Sequence, residues 1–206
     1  PDEIFFVDNS GYALEELDVL GELAKATDRR LRVLSITPSL KDCKSKPYGE
    51  LDIQDQAHLA ISSCNDDDAI VWKATGRLFV PNIQELMGSF EADAGLYCDL
   101  RQVPLIGNAL GGNPWFDMRL WAYRSGFYAE HLFDVKNRIP LIDELAMYRH
   151  VCSLIASHEK LVPRFKIQPE FIGHCAANNS DYSAASVMFK NALRRFTRKC
   201  APFIWI

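Results

Sequence analysis

Several features that identify a class of protein from its sequence are missing from this chain. No apolar run approaches the roughly 20 residues that a membrane-spanning helix needs, and there is neither an internal repeat nor a low-complexity segment. The six cysteines include no Cys-x-x-Cys pair, so that neither a zinc ribbon nor a thioredoxin motif can be drawn. A basic surplus is absent too, because the formal net charge is −4. We therefore expect no general nucleic-acid binding.

What is present is an ordinary globular composition. The chain has 206 residues, of which 48% are hydrophobic and 24% are charged, enough for one domain with one sizeable core. The cysteines stand far apart, several of them in apolar runs, where free cysteine behaves as a small hydrophobe in a reducing compartment. Asp2 and Glu3 lie where a signal peptide would carry positive charge. We expect a single cytoplasmic domain over residues 1–206.

The hydrophobic pattern of the first hundred residues alternates between strands and helices. Strand patterns are EIFFVD, RLRVLSIT and AIVWKATGRLFV, and helix patterns are ALEELDVLGELAKAT and ELDIQDQAHLAISSC. The polar segment KDCKSKPYGE carries Pro47 and Gly49 and predicts a loop. This order is typical of parallel strands joined by helical crossovers. The expected fold class is α/β, with an open, mostly parallel sheet and flanking helices.

The second half of the chain continues with both kinds of element. GLYCDLR and FDMRLWAYRS predict strands, and NIQELMGSF, GFYAEHLFDVKNR, LIDELAMYRHVCSLIAS and SAASVMFKNALRRFTRKC predict helices. Open α/β sheets bind ligands beyond the carboxyl ends of their strands. That rule selects three loops as candidate sites: DNSG, KSKPYGE and ATGR.

Four short motifs together carry a resemblance to a known family. They are KSKPYGE before a helix, KATGR at the end of a strand, CDLR at the end of another, and YAEH in a helix. With them, residues 1 to 135 resemble bacterial sugar transferases of the GT-A-like, nucleotide-diphospho-sugar transferase fold. In that family the motifs read Gly-Lys-Gly-Tyr-Gly-Glu, Lys-x-Thr-Gly-Arg, Cys-Asp-x-Arg and Tyr/Phe-x-Glu-His. Pro47 departs from the first motif, and the strand and helix that usually precede VDNS are expected to be missing or trimmed.

The resemblance implies a glycosyltransferase of the hexosyltransferase type. It would move a sugar from a nucleotide-diphosphate sugar to a cell-surface glycan or lipid-linked precursor, in polysaccharide or lipopolysaccharide biosynthesis. Residues 1–101 would be the nucleotide-sugar-binding half, and residues 102–206 the acceptor half with the C-terminal helices. The alternative is a non-catalytic module that binds a nucleotide sugar or a glycan. A nucleotidyltransferase is disfavoured, because no Gly-rich phosphate loop stands near the N-terminus.

The cationic candidates for donor binding follow from the charge of the donor, and the others follow from the resemblance and from their position at strand ends. Positive groups aimed at the departing diphosphate would lower the barrier to transfer. The full set of donor candidates is Asp8, Asn9, Lys46, Tyr48, Glu50, Lys73, Thr75, Gly76, Arg77 and Arg101. Two of these have equally good structural explanations, since Asp8 with its neighbour could form an Asx-turn and Glu50 could be an acid in the first turn of a helix.

The metal requirement stays open at this stage. In the resembling fold an Asp-x-Asp pair commonly holds a divalent metal, whereas the corresponding strand here ends in KATGR. Asp99 is then the single candidate ligand for Mg or Mn, and it could equally hold a ribose hydroxyl or Arg101. A metal-independent mechanism is as consistent with the sequence. The run of aspartates at residues 66–68 precedes its strand and predicts a solvated turn.

Transfer also needs a group that accepts the proton of the acceptor hydroxyl. In the resembling family the Tyr/Phe-x-Glu-His helix delivers this acidic residue, which makes Glu130 the candidate base with His131 beside it. The alternative is a carboxylate on a helix face paired with Arg124 or Lys136.

The C-terminal segment RRFTRK combines basic residues with neighbouring aromatics. Such an end can lie on an anionic membrane surface, which would suit a lipid-linked acceptor and a site at the inner face of the membrane. A solvated helix face followed by a docked tail is the alternative.

Overall fold

The fold belongs to the α/β class that the sequence predicts, but the described residues form small mixed sheets and not one open, mostly parallel sheet. The structure, a computed structural model, describes residues 3–8, 18–36, 46–63, 67–75, 78–102, 114–139, 144–157, 160–173 and 185–201. The first elements are β1 (Glu3–Asp8), α1 (Asp18–Ala26), β2 (Arg30–Ser35), α2 (Lys46–Ser62), β3 (Ile70–Ala74), β4 (Leu78–Phe79), α3 (Ile83–Gly88), β5 (Leu96–Tyr97) and β6 (Leu100–Arg101). The remainder are β7 (Trp115–Phe116), β8 (Leu120–Arg124), α4 (Ser125–Phe127), a π-helical turn (Tyr128–Leu132), α5 (Val135–Arg138), α6 (Glu144–Ile155), β9 (Leu161–Val162), β10 (Ile172–Gly173) and α7 (Ala185–Cys200). None of the helices in these ranges has an apolar stretch long enough to cross a bilayer.

The central sheet has the strand order β3-β8-β5-β9. β8 pairs antiparallel with β3 and with β5, whereas β9 pairs parallel with β5. β3, β5 and β9 therefore run in one direction, and β8 runs against them. The carboxyl ends of these three strands consequently share one edge of the sheet, which is where ligands bind in open α/β sheets.

β1 and β2 form a separate parallel pair within the described residues. Their register runs from Glu3 opposite Arg30 to Asp8 opposite Ser35, and α1 connects them, as the alternating pattern predicts. One continuous sheet through β1, β2 and β3 is not formed by the described residues, because β3 takes β8 as its neighbour. That partner lies about fifty residues later in the chain and runs antiparallel, so the order of elements in the first hundred residues could not reveal it.

Strand β8 is buried on both faces and joins two apolar clusters. Trp121 and Tyr123 point into one cluster, with the helices α2 and α6 and the π-helical turn. Leu120 and Ala122 point into the other, with α3 and Phe165. Successive side chains of a strand point to opposite faces, so all four positions are core positions. The strand thus holds a helical layer on each side of the sheet.

A buried polar network anchors α2 beneath the first of these clusters. The Asp55 carboxylate, on α2, accepts a hydrogen bond of 2.7 Å from the Tyr128 hydroxyl and pairs with Lys136 of α5. Gln54 donates to the Tyr123 hydroxyl over 2.6 Å. A buried carboxylate is tolerated when it is paired and hydrogen-bonded in this way. The network fixes α2 against the sheet and against α5.

The start of α2 corrects one prediction. Residues 46–50, predicted to belong to a loop, form the first turn of this helix. Pro47 is compatible with that position because the first N–H groups of a helix have no intrahelical partner and the proline ring presets a helical φ. Proline therefore marks a helix start here, not a loop.

Of the cysteines that the structure shows as free, Cys98 matches the expected role of a small hydrophobe. Cys98 is completely buried in the first apolar cluster, and burial raises the pKa of its thiol. Cys152 is half-buried on α6, and Cys200 is exposed at the end of α7.

The glycine that immediately precedes β5 tests the packing of the sheet against α4. A Cβ on Gly95 would overlap the ring of Phe127, whereas one on Gly21, inside α1, would meet nothing. We expect Gly95→Ala to lower the free energy of unfolding by about 1–3 kcal/mol through overpacking. Gly21→Ala should raise it by about 0.5–1 kcal/mol through reduced chain entropy. Urea denaturation measures both, and equal midpoints for the two variants would contradict this packing.

Candidate functional site

Lysine and arginine side chains gather at the shared edge where β3, β5 and β9 end. Lys73 and Thr75 stand at the end of β3, and Asp99 and Arg101 follow β5. Arg164 follows β9. Because ligands bind at the carboxyl ends of the strands in open α/β sheets, these residues form the candidate binding site.

Lys73 is held by three groups, each from a different segment. Its ammonium donates to the carbonyl of Met118 and, over 3.2 Å, to the hydroxyl of Thr75. The Glu50 carboxylate of α2 lies 3.7 Å away. The structure therefore brings together three predicted donor-binding residues: Glu50, Lys73 and Thr75. The ion pair also explains how a lysine can stand within an apolar strand.

Asp99 is nearly inaccessible, and arginines surround it. Both of its carboxylate oxygens accept hydrogen bonds from Arg198 of α7, over 2.7 and 2.8 Å. The Nε of Arg101 lies 3.5 Å from one of them. Pairing with Arg101, one of the three roles open to Asp99 from sequence, is present, and the contact with Arg198 adds a partner that the sequence did not predict.

Arg101 faces a second buried carboxylate, that of Asp117. Its guanidinium donates to this carboxylate over 2.6 Å and lies 5.2 Å from the centre of the Trp115 ring. Arg119 donates to the same carboxylate over 2.8 Å. Burial raises the pKa of the Asp117 carboxyl, but the two arginines lower it by more, so that it lies well below its usual range. Asp117 is thus ionised at neutral pH.

Three further arginines complete a group that we call the arginine cluster. It comprises Arg101, Arg119, Arg164, Arg194 and Arg198, together with Asp99 and Asp117. Sequence reasoning did not find Arg164, and it placed Arg194 and Arg198 only in a basic segment. Their spacing of four residues, which puts them on one face of α7, was the available signal. The side chains of Arg194 and Arg198 both turn towards the sheet edge.

Glu130 and His131 lie elsewhere. They belong to the π-helical turn, which comes after Arg124, the last residue of β8. The first residue of β8, Leu120, is the one that pairs with Ala74, next to Thr75. Glu130 and His131 therefore follow the opposite end of β8 from the one that lies beside Thr75. The Glu130 carboxylate is exposed and lies 3.6 Å from the His131 ring. Neither alternative partner contacts it, since Arg124 pairs with Asp68 and Lys136 with Asp55. The described contacts thus do not bring Glu130 and His131 together with Lys73.

Several predicted site residues lie outside the described part of the chain. Asn9, Gly76 and Arg77 are among them, and so are the side chains of Lys46 and Tyr48. Asp8 is described at the end of β1, opposite Ser35, in the two-stranded sheet. Asp67 and Asp68 are exposed in the turn before β3, which confirms the predicted solvated turn.

A metal site can be sought only within the described ranges. There, no three His, Cys, Asp or Glu side chains come together in a way that would hold a metal ion. Both oxygens of Asp99, the candidate ligand, face Arg198.

Comparison with known proteins returns no relative: no family model, no curated protein and no solved structure matches the chain.

The charge balance around Asp117 predicts how stability depends on pH. Because the folded state lowers the pKa of this carboxyl, its stabilisation is complete above about pH 4, its unfolded pKa, and is lost as the pH falls towards the folded value. Asp117→Asn should lower the free energy of unfolding at pH 7 by about 3–5 kcal/mol, since Arg101 and Arg119 lose their buried counterion. The free energy of unfolding of this variant should also fall less steeply at acidic pH than that of the wild type. Urea denaturation from pH 2 to 7 checks both effects, with the exposed Asp93→Asn as control. A wild-type pH dependence in the Asp117 variant would contradict the assignment.

Proposed function

We propose that this protein is a glycosyltransferase of the GT-A-like type, which transfers a sugar from a nucleotide-diphosphate sugar to a glycan or lipid-linked acceptor. The observation that carries the proposal is the surplus of cationic groups at the carboxyl edge of the central sheet. Lys73 stands there near the end of β3, and Arg101 follows β5, which runs in the same direction as β3. Such groups would stabilise the charge that develops on the leaving diphosphate.

The strand arrangement supports the same proposal. Three of the four strands of the central sheet share a direction, and β1, α1 and β2 form a parallel unit beside it in sequence. An open α/β sheet of this kind offers its ligand site at the strand ends. The donor nucleotide would lie across the ends of β1 and β3, near Asp8 and Lys73.

The acceptor base has two candidates. The resemblance to the Tyr/Phe-x-Glu-His motif favours Glu130, which is exposed and so open to an acceptor. The geometry favours Glu50, because its carboxylate lies 3.7 Å from the ammonium of Lys73. A base must reach the hydroxyl that attacks the donor, so the position of the donor decides between them.

One observation favours a second function, a non-catalytic module that binds a nucleotide sugar. Within the described ranges, the carboxylates at the cationic edge all face cations: Asp99 faces Arg198, Asp117 faces Arg101, and Glu50 faces Lys73. A carboxylate that is held in an ion pair is a weaker base. The same edge could then bind a donor without transferring its sugar.

Substitution of the two candidate bases separates these functions. If the enzyme proposal is correct, a panel of nucleotide sugars with lipid-linked and soluble glycan acceptors should give transfer with at least one donor. Either Glu50→Gln or Glu130→Gln should then lower kcat by about 100-fold or more, the usual contribution of a general base, and Glu130→Gln should leave donor binding intact. Assays with Mg, with Mn and with EDTA show whether a metal is required. Donor binding without transfer under every condition would favour the binding module.

The outer face of α7 supports the proposal of a lipid-linked acceptor. This helix presents an arginine face to the sheet and exposes an apolar stripe, with Phe189, Leu193 and Phe196 exposed by 73%, 45% and 63%. Exposed Lys190 and Lys199 lie on either side of that stripe. Apolar residues between cations are typical of helices that lie in an anionic membrane surface. We place the acceptor at such a surface.

Vesicle binding tests this placement. Sedimentation with vesicles that contain anionic lipid should capture the wild-type chain, because the stripe buries apolar area and the lysines meet anionic headgroups. Phe189→Ser combined with Phe196→Ser should abolish the capture. Neutral vesicles should capture less wild-type protein than anionic ones. Equal capture of the double variant and the wild type would refute the role of this face.

A further inference from the structure

Arg164 is a buried arginine with unused hydrogen-bond donors. Its residue is 9% exposed, and Nη2 donates to the hydroxyl of Thr197 over 3.1 Å. Within the described ranges, no acceptor lies within hydrogen-bonding distance of its buried Nε and Nη1. An unsatisfied buried donor costs free energy, and a charged one costs more. These two nitrogens therefore need an acceptor that the described part of the chain does not supply.

The arginine cluster also carries more positive than negative charge. Among the residues that the structure describes, five guanidinium groups stand against the two carboxylates of Asp99 and Asp117, a surplus of three positive charges within that part of the chain. Both carboxylates are already hydrogen-bonded by other arginines of the cluster. The guanidinium of Arg194 has its one described hydrogen bond, of 3.3 Å, to Asn191 of its own helix. No described carboxylate is left for Arg164 or Arg194.

The protonation of these two arginines reflects this environment. Burial lowers the pKa of Arg164 to about 10, and the neighbouring Arg198 adds to the effect. Burial and then Arg101 lower the pKa of Arg194 to about 10 as well. Both remain protonated at neutral pH, so each is repelled in the folded chain by neighbouring arginines, Arg164 by Arg198 and Arg194 by Arg101.

We propose that the arginine cluster is a binding site for a polyanion of the diphosphate class, with Arg164 and Arg194 as the donors that contact it. A dianion or trianion matches a surplus of three charges, whereas a carboxylate monoanion does not. Guanidinium groups form paired hydrogen bonds with phosphate oxygens in a fixed planar geometry. Arg164 also follows the carboxyl end of β9, at the edge that is expected to bind ligands.

The site gives the proposed donor a place for its diphosphate. That identification rests on the proposed function, whereas the binding of the polyanion does not. Free pyrophosphate and the diphosphate of a sugar nucleotide share the chemistry that this cluster recognises, and the experiment separates the two sources.

Calorimetric titration in EDTA tests the site directly. Pyrophosphate, inorganic phosphate and acetate are titrated at equal ionic strength into the wild type, Arg164→Met, Arg194→Met and Arg195→Met. Arg195 is the matched control, because it lies on the same helix but pairs with Glu170 at the surface. Pyrophosphate should bind the wild type more tightly than phosphate, and acetate should not bind. Arg164→Met and Arg194→Met should each weaken pyrophosphate by about tenfold or more, the effect of losing a charged hydrogen bond, and the control should leave its affinity unchanged.

Three results would overturn the proposal: no binding of pyrophosphate to the wild type, equal affinity in Arg164→Met, or acetate binding as tight as pyrophosphate. If Arg164→Met fails to fold, Arg164→Lys decides, because it keeps the charge and loses the planar pair of donors. That variant should bind pyrophosphate more weakly than the wild type, and unchanged affinity would count against the site.

A further arm distinguishes this inference from the proposed function. Nucleotide sugars replace pyrophosphate in the same titration, and transfer is assayed in parallel. Pyrophosphate binding that depends on Arg164, with no nucleotide sugar bound and no transfer, would uphold the anion site and refute the glycosyltransferase. Transfer that persists undiminished in Arg164→Met would uphold the glycosyltransferase and refute the assignment of this cluster to the donor diphosphate.

Discussion

The ion pair between Asp99 and Arg198 is the contact on which the arrangement of the C-terminal helix and the sheet edge depends. It joins the end of β5 to α7 through two hydrogen bonds to a carboxylate that is 2% exposed. Arg198 also donates to the side chain of Gln168 and to the carbonyl of Phe165. A buried ion pair repays its desolvation only with such additional hydrogen bonds. Here they lock α7 to the loop after β9 as well as to β5.

This contact reverses the usual arrangement of an amphipathic helix. Its charged face, with Arg194 and Arg198, is turned inwards because Asp99 lies there, and the apolar stripe around Phe196 is therefore exposed. One helix thus contributes to the cationic edge on its inner side and presents an apolar surface on its outer side. A phosphate-bearing donor and a lipid-linked acceptor are chemically consistent with those two surfaces, and the proposed function unites them.

Local pattern predicted much of the fold, and contacts between distant segments account for the errors. The elements α6, α7 and β8 were predicted correctly, because their helix and strand patterns are local features of the sequence. The loop assigned to residues 46–50 was wrong because proline has two meanings, a loop and a helix start. At the site, the strand-end rule found Lys73 and Arg101. It could not find Arg164, since β9 has only two residues and gives no strand signal of its own.

The sequence by itself determined the α/β class, most of the helices and the placement of Lys73 and Asp99 at strand ends, since these depend on periodicity and on neighbours within a few residues. Only the tertiary structure decided which charges meet. Asp99 and Arg198 are separated by 99 positions in the chain, and no local pattern encodes such a pairing. The same holds for the partner of β3 and for the surplus of positive charge around Arg164. Electrostatic and hydrogen-bond energies depend on distance in space, so the properties of the site emerge only when the chain has folded.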